Sequence, residues 1–243
     1  MFEEIKKRIK ESERRGHKVP PARSLLGRLI VSFGLWLCRN NLDIEVFGLD
    51  NIPRSTPYVI IANHVTFIDA LWIFGILPPD HYELTCSMIG EDLNTEYGLL
   101  GKLMFQAARA IPVDRKGLSA ARSLITAKNA LESGNNVLIH PEGTRSANGR
   151  IQEFLSGSAY LGHKYDSPVL PIYIEGAYEI WPRQNKYPSF RDENGKPRKL
   201  RLHVGPCFYS TDYKDAKEMN MAMEKAFRDL EERLFRAKQN KAD

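Results

Sequence analysis

Residues 58 to 69 read YVIIANHVTFID, an apolar run followed at once by Asn63, His64 and, five positions after the histidine, Asp69. The run is short, rich in β-branched residues and apolar on both alternations, the pattern of a strand covered on both faces of a sheet. Such strands belong to parallel sheets flanked by helices, and ligands of those sheets bind beyond the carboxyl ends of the strands. His64 stands at that end.

Alone, the spacing decides little, because six His and twelve Asp in 243 residues give about 0.3 such pairs by chance. Residues five apart on an ideal helix point about 140° apart, so the two side chains do not meet in mid-helix. They meet if His64 sits on the turn before the helix. One ring nitrogen then donates to the Asp69 carboxylate, which fixes the tautomer and leaves the other nitrogen as a base.

On either side of this stretch, short β-rich runs alternate with helical patterns. IEVFG (44–48) reads as a strand, HVTFIDALWIFGIL (64–77) as a helix ended by Pro78-Pro79, and ELTCSMIG (83–90) as a strand. GLLGKLMFQAA (98–108) is helical, AIPV (110–113) is a strand, and LSAARSLITAKNALESG (118–134) is a helix closed by Gly134. The strand NVLIH (136–140) leads into PEGTRS (141–146). A helix near Phe154 to His163 precedes the strands PVLPIYIEG (168–176) and KLRLHVG (199–205). Residues 181–198, polar and Pro-containing, read as a surface excursion, and Met223, Phe227, Leu230 and Leu234 mark a packed final helix. The order predicts an α/β domain with a largely parallel central sheet, spanning residues 41–243.

Residues 1–28 carry nine Lys or Arg against four Glu, a local excess equal to the net +5 of the whole chain. The remainder balances, so the sequence pI of about 9.0 is no sign of a nucleic-acid footprint on the domain. SLLGRLIVSFGLWLC (24–38) follows, too short for a bilayer span of about 20 residues and without the flanks of a signal peptide. Basic residues followed by Leu, Phe and Trp suit an amphipathic helix lying in a membrane interface of anionic lipids, the alternative being a helix packed on the domain edge. Residues 1–40 are accordingly read as a basic arm and interfacial anchor, peripheral or monotopic on the cytoplasmic face of a membrane. Cys38, Cys86 and Cys207 show no CxxC spacing, which fits a reducing compartment and no thiolate metal site.

Three later blocks also end strands: AIPVDR with Arg115, PEGTRS with Glu142 and Arg145, and VLPIY with Pro171. In a parallel sheet their ends converge on His64. Gly143 permits close approach, while Thr144, Ser146 and Arg145 supply hydroxyls and a guanidinium fork suited to phosphate oxygens.

NHVTFID, AIPVDR, PEGTRS and VLPIY, in that order across about residues 44–210, resemble the four blocks of the glycerolipid acyltransferases, a family with HX4D and PEGTRS motifs that includes 1-acylglycerol-3-phosphate acyltransferases. The resemblance implies that His64 and Asp69 are catalytic. It implies that Arg115, Glu142, Gly143 and Arg145 help bind the phosphate of the acceptor, and that Val169, Leu170, Pro171 and Ile172 contribute to an acyl pocket. Leu155 and Gly90 stand where many members carry a lysine. An acceptor other than a bare phosphomonoester therefore stays open.

The expected reaction is transfer of a fatty acyl group from acyl-CoA or acyl carrier protein to the hydroxyl of a lysophospholipid, with 1-acylglycerol-3-phosphate giving phosphatidic acid. Another lipid alcohol acceptor, or hydrolysis of a thioester or lipid ester by the same dyad, is the alternative. No GxSxG elbow and no HExxH or His-Cys cluster accompanies the motifs, so neither an acyl-enzyme, a metal nor a cofactor is expected. The sequence leaves the oligomeric state open.

Overall fold

A computed structural model describes residues 19–113 and 120–240 of the chain. In chain order the elements are helix α1 (Leu25–Asn41), strand β1 (Asp43–Phe47), strand β2 (Val59–Ala62), helices α2 (Asp69–Phe74) and α3 (Pro79–Leu84), strand β3 (Thr85–Gly90), helix α4 (Asp92–Ala107) and strand β4 (Ile111–Val113). They continue with helix α5 (Ala120–Glu132), strand β5 (Asn136–Ile139), helix α6 (Gly157–Lys164), strand β6 (Val169–Glu175), helix α7 (Ala177–Ile180), strand β7 (Lys199–Val204) and helix α8 (Ala216–Gln239).

The strands form one sheet in the order β1-β7-β6-β2-β5-β3-β4. Neighbours are parallel except β6 and β7, where the direction reverses. Strand β2 is central and alternates between two cores: Tyr58, Ile60 and Ala62 face one side, Val59 and Ile61 the other. On the first side they meet Val31 and Cys38 of α1 and Trp72, Ile73 and Phe74 of α2. On the second they meet Ala127 and Ala130 of α5, Leu161 of α6, and Met219, Met223 and Phe227 of α8. The expected α/β architecture is what the chain adopts.

At three boundaries the difference from the sequence reading has a clear local cause. The helix expected from His64 begins at Asp69, because Asp69 spends its carboxylate on the N–H groups of Val65 and Thr66 and holds residues 63–68 in a loop. The strand expected from Glu83 begins at Thr85, since Pro79 starts a short helix that runs through Leu84. The helix expected from Gly98 begins at Asp92 and kinks at Gly98, whose φ of 51° breaks the regular turn.

Helix α1 is capped by Ser24, whose Oγ accepts the Gly27 N–H at 3.0 Å. Its inner face, through Val31 and Cys38, belongs to the domain core. Its outer face is apolar as well: Leu25, Leu26, Leu29, Phe33 and Trp36 are each more than half exposed. Arg28, which interrupts the apolar run in sequence, turns inward and forks onto Glu83 at 2.9 and 3.2 Å. The segment before the helix is fastened by two buried guanidiniums. Arg109 donates to the carbonyls of Pro20, Pro21 and Glu83 and to Asn135. Arg23 donates to the carbonyls of Tyr82, Thr85 and Ala107, and burial draws its pKa down to about 10. No helix among the described residues is long and apolar enough to cross a membrane.

Candidate active site

Strand β2 delivers the loop that carries the dyad. Asn63, the first residue past it, continues the ladder with its side chain: Nδ2 donates to the Ile174 carbonyl at 3.0 Å and Oδ1 accepts the Ile174 N–H at 2.7 Å. The loop is thus tied to β6 before His64 is reached. The His64 N–H donates to Oε1 of Glu142 at 2.7 Å, and its carbonyl accepts the N–H of Ser146 at 2.7 Å. Both backbone groups of the histidine are therefore held by the PEGTRS loop.

The ring of His64 lies with Nδ1 2.9 Å from Oδ2 of Asp69. That oxygen also accepts the N–H groups of Val65 at 2.7 Å and Thr66 at 2.9 Å, while Oδ1 accepts the Thr66 hydroxyl at 2.7 Å. Burial drives the Asp69 carboxyl pKa up, but the His64 hydrogen bond and charge, with His140 and Thr66, outweigh it and hold the group below its ordinary value. An ionised carboxylate so encircled keeps the proton of neutral His64 on Nδ1. Its Nε2 carries the lone pair of a base.

His140, the last residue before PEGTRS, stacks on His64 with ring centroids 4.1 Å apart and planes 13° from parallel. Ligand atoms of His64, Asp69 and His140 lie within 4.8 Å of one another, a grouping compact enough to consider for a cation. Near-parallel stacked rings hold their lone pairs in separate planes, however, and these do not converge on one ion as metal coordination requires.

In PEGTRS each residue has a distinct place. Glu142 is buried, and its second oxygen accepts the N–H and the side-chain amide of Gln152 at 3.0 and 3.2 Å. Burial raises its pKa despite these donors. Both of its oxygens are thus occupied in bracing the dyad and PEGTRS loops. Gly143 has φ 69°, and a side chain there would strike Leu155. Thr144 accepts from Gln152 through its carbonyl at 3.4 Å. The Ser146 hydroxyl is also turned inward, donating to the Arg150 carbonyl at 2.8 Å, so it closes the loop and does not offer a donor to a ligand. Arg145 lies with its guanidinium carbon 3.4 Å from the centroid of Phe67, a residue of the dyad loop. Arg115 lies outside the described residues.

Val169, Leu170, Pro171 and Ile172 form the buried centre of β6, with Val169 in one core and Leu170 and Ile172 in the other. Leu170 and Ile172 thus share one face of the covered strand and Val169 the other. A cavity of about 180 Å³ opens further along the same strand, beside Val65, between Tyr173, Glu175, Arg150, Leu234 and Phe235. That is smaller than the roughly 300–1,000 Å³ of common ligand sites.

Sequence reasoning missed Asn63, Thr66, His140 and Gln152 as parts of the site. Asn63 and His140 flank the motifs directly, but nothing in their spacing reveals that one completes a ladder and the other stacks. Residues 181–198 are exposed for the most part, as expected, yet they reach the site: Trp181 packs edge-on against Phe67 at 5.9 Å, and Arg183 donates to the Arg145 carbonyl at 3.4 Å.

Comparison with known proteins places the fold and the sequence. A solved structure described as the 1-acyl-sn-glycerophosphate (LPA) acyltransferase, PlsC, from Thermotoga maritima has the same fold, with TM-score 0.69 and 23% identity over 86% of this chain and 79% of that one. The 1-acyl-sn-glycerol-3-phosphate acyltransferase of Limnanthes alba is 29% identical over 160 residues, 65% of this chain and 53% of the relative. The human 1-acyl-sn-glycerol-3-phosphate acyltransferase alpha is 29% identical over 147 residues, 60% of this chain and 50% of the relative. The chain thus spans about half the length of the curated relatives it matches. A family profile described as Acyltransferase matches residues 43–175, from the first residue of β1 to the last of β6 and across the whole dyad and PEGTRS region. The chain belongs to the acyltransferase family.

Proposed function

We propose that the protein is an O-acyltransferase that moves a fatty acyl group from a thioester, acyl-CoA or acyl carrier protein, to the free hydroxyl of a lysophospholipid. The acceptor we favour is 1-acylglycerol-3-phosphate, with phosphatidic acid as product. The single observation that carries this reading is the His64–Asp69 pair at 2.9 Å, at the end of a central strand and on a loop braced from both sides.

In this mechanism Nε2 of His64 takes the proton of the acceptor hydroxyl as its oxygen attacks the thioester carbonyl. The tetrahedral intermediate collapses with cleavage of the C–S bond, and the imidazolium returns the proton to the departing thiolate. Asp69 holds the tautomer before the step and offsets the imidazolium charge during it. Base catalysis of this kind contributes about 10²- to 10⁴-fold in rate. Arg145 and Arg115 are assigned to the acceptor phosphate, Arg145 lying with its guanidinium carbon over the Phe67 ring. A fork of in-plane N–H donors suits that ligand.

The outer face of α1 is assigned to a lipid surface containing anionic lipids. Five large apolar side chains on one exposed stripe suit an interfacial helix, and they follow in sequence on residues 1–18, which lie outside the described residues and carry seven Lys or Arg against four Glu. Lipid tails then need no deep cavity, because they remain in the bilayer while the acceptor hydroxyl reaches His64.

The test is an incubation of the purified protein with acyl-CoA or acyl carrier protein thioester, with and without a panel of lysolipids, read by mass spectrometry. Diacylated product and free thiol in equal amounts, dependent on lysolipid, are expected. Free fatty acid formed at the same rate without lysolipid would instead identify a hydrolase.

A further inference from the structure

We propose that His140 is a positioning residue for the dyad, a neutral aromatic platform against which His64 becomes an imidazolium; the inference rests on the acyl-transfer reading above. Two contacts point to it. The rings of His140 and His64 are stacked at 4.1 Å and 13°. On its own account His140 is clamped, with Nδ1 3.0 Å from the Ala62 carbonyl and 3.2 Å from that of Asn63. Carbonyls only accept, so Nδ1 carries the proton and Nε2 the lone pair.

The clamp spans the last residue of β2 and the residue after it, while His140 itself follows the end of β5. One side chain therefore ties two adjacent strand ends together and sets the plane in which the base must lie. Desolvation, and then the neighbouring His64, hold the His140 pKa at about 3, so the platform stays neutral at every pH at which His64 works. Other titratable groups coupled to the pair among the described residues are Asp69, on the far side of the Nδ1 bond, and Glu142, which meets the His64 backbone.

A neutral π-face within about 6 Å favours a cation on the ring above it. In the ground state His64 is uncharged and the platform only restrains its rotation. In the transition state the ring acquires positive charge, and the same contact becomes attractive. The contribution is thus larger for the transition state than for bound substrate, which places it in kcat rather than KM. An aliphatic residue supplies neither part, Phe supplies the face, and Asn supplies a donor near the position of Nδ1.

Those differences make the test. In wild type, His140→Phe, His140→Asn and His140→Ala, the His64 pKa is measured by NMR of the imidazole without substrate, alongside kcat and KM as functions of pH. His140→Ala and His140→Asn are expected to lose about 3- to 30-fold in kcat with KM changed less than 3-fold. Their His64 pKa is expected to fall, moving the acid limb of the kcat profile to lower pH. His140→Phe should recover most of the loss relative to His140→Ala. A His64 pKa and acid limb unmoved in His140→Asn, or a Phe variant as impaired as the Ala variant, would overturn the proposal. Because the NMR titration needs no turnover, it stands even if the protein proves not to transfer acyl groups. His140→Asn keeps a clamp to the strand ends, so a failure of His140→Ala to fold leaves the comparison intact.

Discussion

The backbone N–H of His64 and Oε1 of Glu142 lie 2.7 Å apart, although 78 residues separate them in the chain. The acidic residue of PEGTRS therefore holds the base in place from behind. Glu142→Ala leaves the N–H groups of His64 and Gln152 without this acceptor, at a cost of about 1–3 kcal/mol for the pair of loops. A loss of about 10- to 100-fold in kcat should accompany a lowered melting temperature. Glu142→Gln, which keeps an acceptor toward His64, should lie between the variant and wild type in both calorimetry and kinetics.

Asp69 accepts four hydrogen bonds, one of them from His64. In Asp69→Asn one oxygen becomes an N–H₂ donor, so part of the donor ring is opposed and the His64 tautomer is no longer imposed. A fall in kcat of about 10²- to 10⁴-fold is expected. Steady-state rates across pH 5 to 9 check it, and the drop should persist at every pH because it follows from the wrong tautomer and not from a displaced titration.

The apolar outer face of α1 offers a separable test, since Leu29, Phe33 and Trp36 are exposed and contribute little to the core. Replacing all three by Glu should leave the melting temperature within a few degrees and abolish co-sedimentation with anionic vesicles. Undiminished vesicle binding would show that another surface holds the lipid.

Glu175 predicts a pH dependence of stability. His203 donates to it at 3.1 Å, Lys238 at 3.0 Å and Arg201 at 3.4 Å; chiefly through the His203 hydrogen bond, its pKa is held down to about 2. A carboxyl with a lowered native pKa contributes stability that is fully present above its unfolded value near 4.5 and is lost as pH falls toward 2. Glu175→Gln should therefore be less stable than wild type at pH 7. The two denaturant midpoints should draw together between pH 4.5 and 2.

Much of this arrangement was readable from residues alone, for identifiable reasons. The run Tyr58 to Ala62 is apolar on both faces because both faces are covered, and so it announced a central strand. Tertiary bonds hid the rest. Asp69 delays the helix by capturing N–H groups three and four residues before it, and Arg28 looks outward in sequence until Glu83 meets it. The reversal at β7 is set by pairing across a long excursion and leaves no mark in its own residues. Nor does the polar character of PEGTRS reveal that Glu142 and Ser146 are buried and hydrogen-bond to backbone groups.

The central claim is that His64 removes the acceptor proton, and the rate of lysolipid-dependent acyl transfer by His64→Ala tests it most directly. With circular dichroism and melting like those of wild type, transfer should drop by about 10²- to 10⁴-fold. A folded variant that keeps more than a tenth of the wild-type rate would contradict the mechanism.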